Sequence, residues 1–234
     1  MIKQETVYEM RLVSALEKVF LDERPVYRPE CMKLTALKGE TVSFQAACTC
    51  TSFMKNRVKV RIESPISDRI HVRKVENVPA GRVCGPIVDD NYLKTESGLY
   101  PDLLRELVDG EVDIFPQKWR SIWIDIEVTE DVKAGLYPVT VILEKDGETL
   151  ARAATEVTIY DAVLPKQKMM HTEWFYLDCL ADYYHVPVFS EEHWEIITNY
   201  LKEYVKRGCN MILTPLFTPA LDTAVGIERT TTQL

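Results

Sequence analysis

The stretch Leu136–Tyr160, LYPVTVILEKDGETLARAATEVTIY, holds two runs of alternating polar and apolar residues joined by Lys145-Asp146-Gly147. Asp-Gly between alternating runs is a strong hairpin signal, and each run reads as a strand with one face on a core and one in water. The same period of two recurs toward the N-terminus. Thr41–Ala46, Arg57–Glu63, Arg69–Val75 and Ser121–Val128 all alternate. Turn chemistry separates these runs at Lys38-Gly39-Glu40, Ser64-Pro65, Pro79-Ala80-Gly81 and Lys133-Ala134-Gly135. Successive short strands without interleaved helices predict an antiparallel β-sandwich. The stretch Val88–Pro116, with Tyr100-Pro101-Asp102-Leu103-Leu104, reads as a long loop carrying at most a short helix.

Toward the C-terminus the pattern changes at Asp161-Ala162-Val163-Leu164-Pro165. Met169–Phe175 reads as a strand, and a helix follows from about Glu191 to Arg207. Ser190 is its N-cap, Glu191 and Glu192 fill the first turn, Lys206 and Arg207 the last, and Gly208 stands just past the end. Trp194, Ile197, Leu201, Tyr204 and Val205 form one apolar stripe at helical spacing. Asn210–Thr214 then reads as a second strand, which completes a βαβ unit. Two parallel strands and one helix cannot cover both faces of a parallel sheet. A (β/α)8 barrel takes roughly 250 residues, far more than follow Pro165.

The expected fold class is therefore mainly β. An antiparallel sandwich over residues 1–163 precedes an incomplete α/β, TIM-barrel-type segment over 164–234. The expectation is a chain that forms the front of a longer protein. An uncovered barrel edge predicts a homo-oligomer, or a last segment packed against the sandwich.

Composition narrows the function. Lys plus Arg number 28 against 36 Asp plus Glu, a net charge of -8, and no local basic patch offsets it, which argues against nucleic acid as a partner. No apolar run approaches the roughly 20 residues of a membrane span, and Met1–Glu5 does not begin a secretory signal, so a cytoplasmic location is expected. The six cysteines are dispersed, as in a reducing compartment. Cys48 and Cys50 fall two apart in a strand-like run and are expected to be buried thiols on one face. His185 and His193 have no partner at ligand spacing, so no metal site is expected. Gly81-Arg82-Val83-Cys84-Gly85 lacks the spacing and following helix of a phosphate cradle, no G-x-S-x-G motif occurs, and no cofactor is expected.

Residues spread through the chain carry a resemblance. They are Leu16–Phe20, Lys38–Gln45 and Ala134–Tyr137 in the sandwich half, then Leu164-Pro165 and Glu173–Asp178. The densest set lies in Asn210–Leu234, with Thr214–Pro219, Leu221–Thr223, Gly226, Glu228–Thr230 and Gln233-Leu234. On these the sequence resembles glycoside hydrolase family 123, whose members join an N-terminal β-sandwich to a catalytic TIM barrel. The resemblance implies action on β-linked N-acetylgalactosamine or a related glycoside by a substrate-assisted retaining mechanism, with an adjacent Asp–Glu pair deeper in the barrel. No residue of this chain matches that pair, so no catalytic residue is assigned and the chain alone is expected to be inactive. Asp89-Asp90, Asp109-Gly110-Glu111, Glu130-Asp131 and Glu191-Glu192 read as solvated surface or caps.

Barrel active sites lie beyond the C-terminal ends of the strands. That ranks Trp174 and Asp178 after the first strand, and Thr214, Asp222, Glu228 and Arg229 after the second, as substrate-binding candidates. Trp174 would stack on a sugar ring; Asp222 and Arg229 would bond hydroxyls. His171 is expected to be a satisfied core histidine. Two other readings stand beside the glycosidase fragment: a sandwich that itself binds carbohydrate through Tyr92, Tyr100, Trp119 or Trp123, and a sandwich that only braces a neighbouring domain.

Overall fold

The computed structural model describes residues 6–81 and 92–214, and its contacts divide the chain into units 1–164 and 165–234. The first unit holds β1 (Tyr8–Ser14), β2 (Lys33–Lys38), β3 (Thr41–Cys50), β4 (Asn56–Glu63), β5 (Ile70–Ala80), β6 (Gly98–Glu106), β7 (Glu111–Ile114), β8 (Arg120–Glu127), β9 (Gly135–Lys145) and β10 (Glu148–Val163). They form two five-stranded sheets, ordered β1-β3-β8-β5-β6 and β2-β10-β9-β4-β7. Pairing is antiparallel except at β2, an edge strand that runs parallel to β10. No hairpin ties β2 to β10, so nothing forces the antiparallel direction; the chain instead leaves β2 and crosses to the other sheet. Gly39, at φ +90°, makes that crossing, and its N–H donates to the Val128 carbonyl at 2.6 Å.

The alternation of the sequence becomes the core. Phe44, Ala46 and Cys48 of β3 and Ile122, Ile124 and Ile126 of β8 meet Val139, Val141 and Leu143 of β9 and Val157 and Ile159 of β10. Each of the larger side chains contributes about 1.5–3 kcal/mol by leaving water. Cys48 and Cys50 lie in this core, and burial pushes the Cys48 thiol up to about 12. The β9–β10 hairpin turns at Asp146 (φ 52°) and Gly147 (φ 84°), the two left-handed residues of a primed turn.

The stretch expected to be a long loop contains β6 and β7. Pro101 made β6 hard to see, because proline cannot donate to a ladder. It is tolerated here since β6 is the outermost strand of its sheet, beside an irregularity between Val75 and Asn77 of β5. Residues 88–91 of that stretch, with Asp89-Asp90, lie outside the described residues.

The outer face of the β3–β8–β5 sheet carries a polar network. Asp125, only 6% exposed, accepts from Ser43 Oγ at 2.5 Å and from Trp123 Nε1 at 2.7 Å, and pairs with Arg73. Gln45 Nε2 donates to the carbonyls of Ser14 and Glu17 at 3.0 and 2.8 Å, pinning the segment that follows β1. Val13, Val19, Ala47 and Trp119 form a small second core beneath that segment. Trp119 and Trp123 are therefore committed to packing and to Asp125.

In the second unit, β11 (Thr172–Trp174) pairs in parallel with β12 (Met211–Leu213). Two helices lie between them in sequence, α1 (Leu177–Tyr184) and α2 (Glu191–Lys206). Helix α2 matches the helix that the sequence predicts from Glu191, whereas α1 is an addition to the expected βαβ unit. No described helix is long and apolar enough to cross a membrane.

Candidate functional site

The parallel register sets Trp174 against Leu213, and the Phe175 N–H donates to the Leu213 carbonyl at 2.8 Å, so both strands end side by side. Helix α2 holds that pair from outside. The Tyr204 hydroxyl accepts from the Glu173 N–H at 2.6 Å and donates to the Met211 carbonyl at 2.9 Å, tying both strands to one side chain. Phe175 packs on the rings of Tyr200 and Tyr204, with centroids 6.5 and 6.0 Å away. Tyr200 shares a hydroxyl–hydroxyl bond of 3.0 Å with Tyr184 of α1; that bond, then burial, raises its pKa above the ordinary tyrosine value.

The start of α2 is locked by Ser190 and His193. Ser190 Oγ accepts from the His193 N–H at 3.2 Å, as its capping position requires. The His193 ring is fully buried. Its Nδ1 accepts from the Phe189 N–H at 2.8 Å, which leaves Nε2 to donate to the Leu177 carbonyl at 2.8 Å. Neutral imidazole with its proton on Nε2 satisfies both contacts. One histidine thus joins α2, the preceding turn and the first residue of α1.

This overturns the assignment of His171. That residue lies just before β11, not within it, and its side chain is half exposed; Nδ1 stands 3.8 Å from Cys209 Sγ and Nε2 3.4 Å from Glu173 Oε1. The satisfied core histidine is His193. The helix face also shifts accordingly. Ile197 is buried and Leu201 and Tyr204 half-buried, whereas Trp194 and Val205 of the expected stripe are exposed because His193 takes the inward position. Trp194 stacks instead on Phe189 at 5.5 Å and 22°.

The sequence candidates fall around the strand ends as follows. Trp174, 55% exposed, lies parallel to the Tyr176 ring at 5.9 Å and 16°, an aromatic pair at the end of β11. Tyr176 was not among the expected site residues; only its aromatic type, two positions beyond Trp174, could have signalled it. Asp178 is buried in the first turn of α1, and its Oδ1 accepts from the Cys179 N–H at 3.1 Å. Thr214 directly follows β12 and is buried, with Oγ1 unbonded among the described residues. Asp222, Glu228 and Arg229 lie outside the described residues. Trp174 and Thr214 thus stand on adjacent strand ends, and Asp178 opens the helix after the first.

The acidic clusters of the sandwich have structural work. Asp109 and Gly110 both take positive φ in a turn, and Glu111 pairs with Arg57 at 2.7 Å. Asp131 is bonded by Thr129 and Arg69, which hold its carboxyl below the usual range. Among the described residues no group of three or more His, Cys, Asp or Glu could hold a metal ion.

Comparison with known proteins adds the family. Residues 20–145 match the glycoside hydrolase 123 N-terminal domain, and residues 174–234 match the glycoside hydrolase 123 catalytic domain. Among solved structures, a family 123 glycoside hydrolase from Clostridium perfringens aligns with a TM-score of 0.64 at 16% identity, covering 88% of this chain and 37% of that one. The chain therefore spans little more than a third of that enzyme. The CARDB domain of a Pyrococcus furiosus protein covers 67% of this chain and 96% of its own at 6% identity, with a TM-score of only 0.33. A β-glucosidase from Listeria innocua covers 68% and 17% at 11% identity, with a TM-score of 0.31. No curated protein matches. The N-terminal-domain match alone takes in more than half of the sequence, and the chain belongs to glycoside hydrolase family 123.

Proposed function

We propose that this chain is the N-terminal part of a glycoside hydrolase acting on β-linked N-acetylgalactosamine. Residues 1–163 form the sandwich and 164–234 the opening of a (β/α)8 barrel. The observation that carries this is the coincidence of the catalytic-domain match, which starts at Trp174, with the end of the parallel pair β11–β12. In a barrel that end is the active-site face. Trp174 with Tyr176 offers aromatic surface for a sugar ring, Asp178 and Thr214 offer polar groups, and Asp222, Glu228 and Arg229 follow β12 in sequence. The Clostridium perfringens relative is described in terms of glycolipid glycan hydrolysis, which makes a glycolipid glycan a reasonable substrate class.

Catalysis in this proposal is substrate-assisted. The sugar's 2-acetamido oxygen attacks the anomeric carbon while an acidic pair, contributed by sequence beyond Leu234, orients the amide and protonates the leaving oxygen. Residues 1–234 by themselves bind and position but do not hydrolyse. In the absence of the remaining strands, the uncovered edge of the β11–β12 pair would draw a second copy.

The test is hydrolysis of 4-nitrophenyl N-acetyl-β-galactosaminide by the protein encoded when the reading frame is followed past Leu234. Turnover by that protein and none by residues 1–234 is the expected pair of results. A longer protein inert toward this substrate and toward glycolipid glycans ending in β-linked N-acetylgalactosamine would overturn the proposal.

A further inference from the structure

We propose that the sandwich carries a binding site for a neutral pyranose at the β5–β6 edge, where the segment after β1 crosses the sheet. A cavity of about 370 Å³ opens there, lined by Lys18, Phe20, Tyr92, Lys94, Tyr100 and Asp102. Small-molecule sites occupy roughly 300–1,000 Å³, so the space suits one or two sugar rings.

Aromatic rings share its wall with Val78, Leu93 and Pro101, and two of the rings are held in place. Tyr100 of β6 stands opposite Val78 of β5, its hydroxyl donates to the Glu96 carbonyl, and its ring meets Phe20 edge to face at 6.0 Å and 86°. Tyr92, 49% exposed, completes the aromatic lining with an accessible ring. Such faces attract the polarised C–H face of a pyranose.

The charges decide the ligand class. Lys94 is committed to Glu23 and sits 4.1 Å above the Phe20 ring. Among the described residues Lys18 makes only a long 3.4 Å bond to the Pro101 carbonyl, leaving further ammonium hydrogens to donate, and the exposed Asp102 carboxylate accepts. Among the described residues Lys18 and Lys94 are matched by Asp102, Glu23 and Glu96, so an anion gains no net attraction. A lipid would leave the Lys18 and Asp102 groups unanswered. A neutral sugar uses both, with hydroxyls that accept from Lys18 and donate to Asp102.

The site belongs to the sandwich and is independent of the glycosidase proposal, whose failure would be read by hydrolysis. The test titrates isotope-labelled residues 1–234 with methyl N-acetyl-β-galactosaminide, methyl β-galactoside and, separately, inorganic phosphate, following amide NMR shifts. At least one glycoside should move the amides of 18–20, 92–94, 100 and 102, with a Kd on the order of 1 mM, as for a single weakly held ring. Tyr92→Ala and Asp102→Asn, both at exposed positions, should each weaken it at least fivefold while the thermal midpoint stays unchanged. Shifts that fail to appear, that fall elsewhere, that follow phosphate instead, or a Kd that survives either substitution would overturn the proposal.

Discussion

The two units bury different things. In the sandwich the fully buried side chains are overwhelmingly aliphatic, with Phe44, Ile114, Ile122, Ile124, Ile126, Leu143 and Ile159 among the largest. Among the described residues of the second unit, Ala181, Ile197 and Cys209 are buried, and so are the polar Asp178, His193 and Thr214. Its elements meanwhile expose Trp174, Tyr183, Trp194, Val205, Met211 and Ile212. Apolar burial sums to stability, whereas a buried hydrogen-bonded group repays little beyond its own desolvation. The sandwich is thus built to stand by itself. The described elements of the second unit are pinned by specific bonds while several of their large apolar side chains are exposed.

The largest effect that could break this contrast is a deletion in the sandwich core. Phe44→Ala should cost about 3–5 kcal/mol in urea unfolding followed by the loss of β-sheet circular dichroism. A loss below about 1 kcal/mol would mean that the sandwich core is looser than its burial indicates. In the second unit the corresponding lesion is polar. His193→Ala strands the Phe189 N–H and the Leu177 carbonyl, at about 2–3 kcal/mol in all. Limited proteolysis should show faster cutting within 165–214 and an unchanged sandwich. Equal sensitisation of both units would erase the distinction.

Tyr204→Phe keeps the ring against Phe175 and removes the hydroxyl from between the strands. About 1–2 kcal/mol of local stability should go with it, read as faster amide exchange at Glu173. The smallest effect sharpens the sandwich side. The Lys74 hydrogen bond, at 2.6 Å, and then the Arg120 charge hold the Glu76 carboxyl below its ordinary range. A folded value below the unfolded one makes Glu76 stabilising above about pH 4.3. That stabilisation disappears as pH falls through the lower folded value. The stability gap between the natural chain and Glu76→Gln should therefore be present at neutral pH and close on acidification. A gap that widens in acid would reverse the sign assigned to Glu76.

What could be read in the sequence follows the same division. Alternation with Asp146-Gly147 exposes β9 and β10, because a half-buried hairpin must repeat every second residue. β6 escaped because Pro101 is a breaker anywhere except an edge, and edges are a property of the sheet. Ser190, the acidic first turn and Gly208 delimit α2 to within a residue. α1 escaped for want of such signals: it is eight residues long, and Tyr176 at its N-cap makes no side-chain capping bond. His193 was passed over as an isolated histidine because both of its partners are backbone atoms, which leave no mark in a sequence. Trp174, Asp178 and Thr214 could be ranked from strand order alone. Tyr176 and Tyr204 needed three dimensions.

Amide hydrogen exchange along residues 1–234 tests the central contrast most directly. The account predicts slow exchange in β3, β8, β9 and the paired part of β10, at the level of global unfolding, and much faster exchange in α1, α2 and β12. Protection of α2 and β12 equal to that of β3 and β8 would contradict it, and would mean that the second unit is covered and stable within this chain alone.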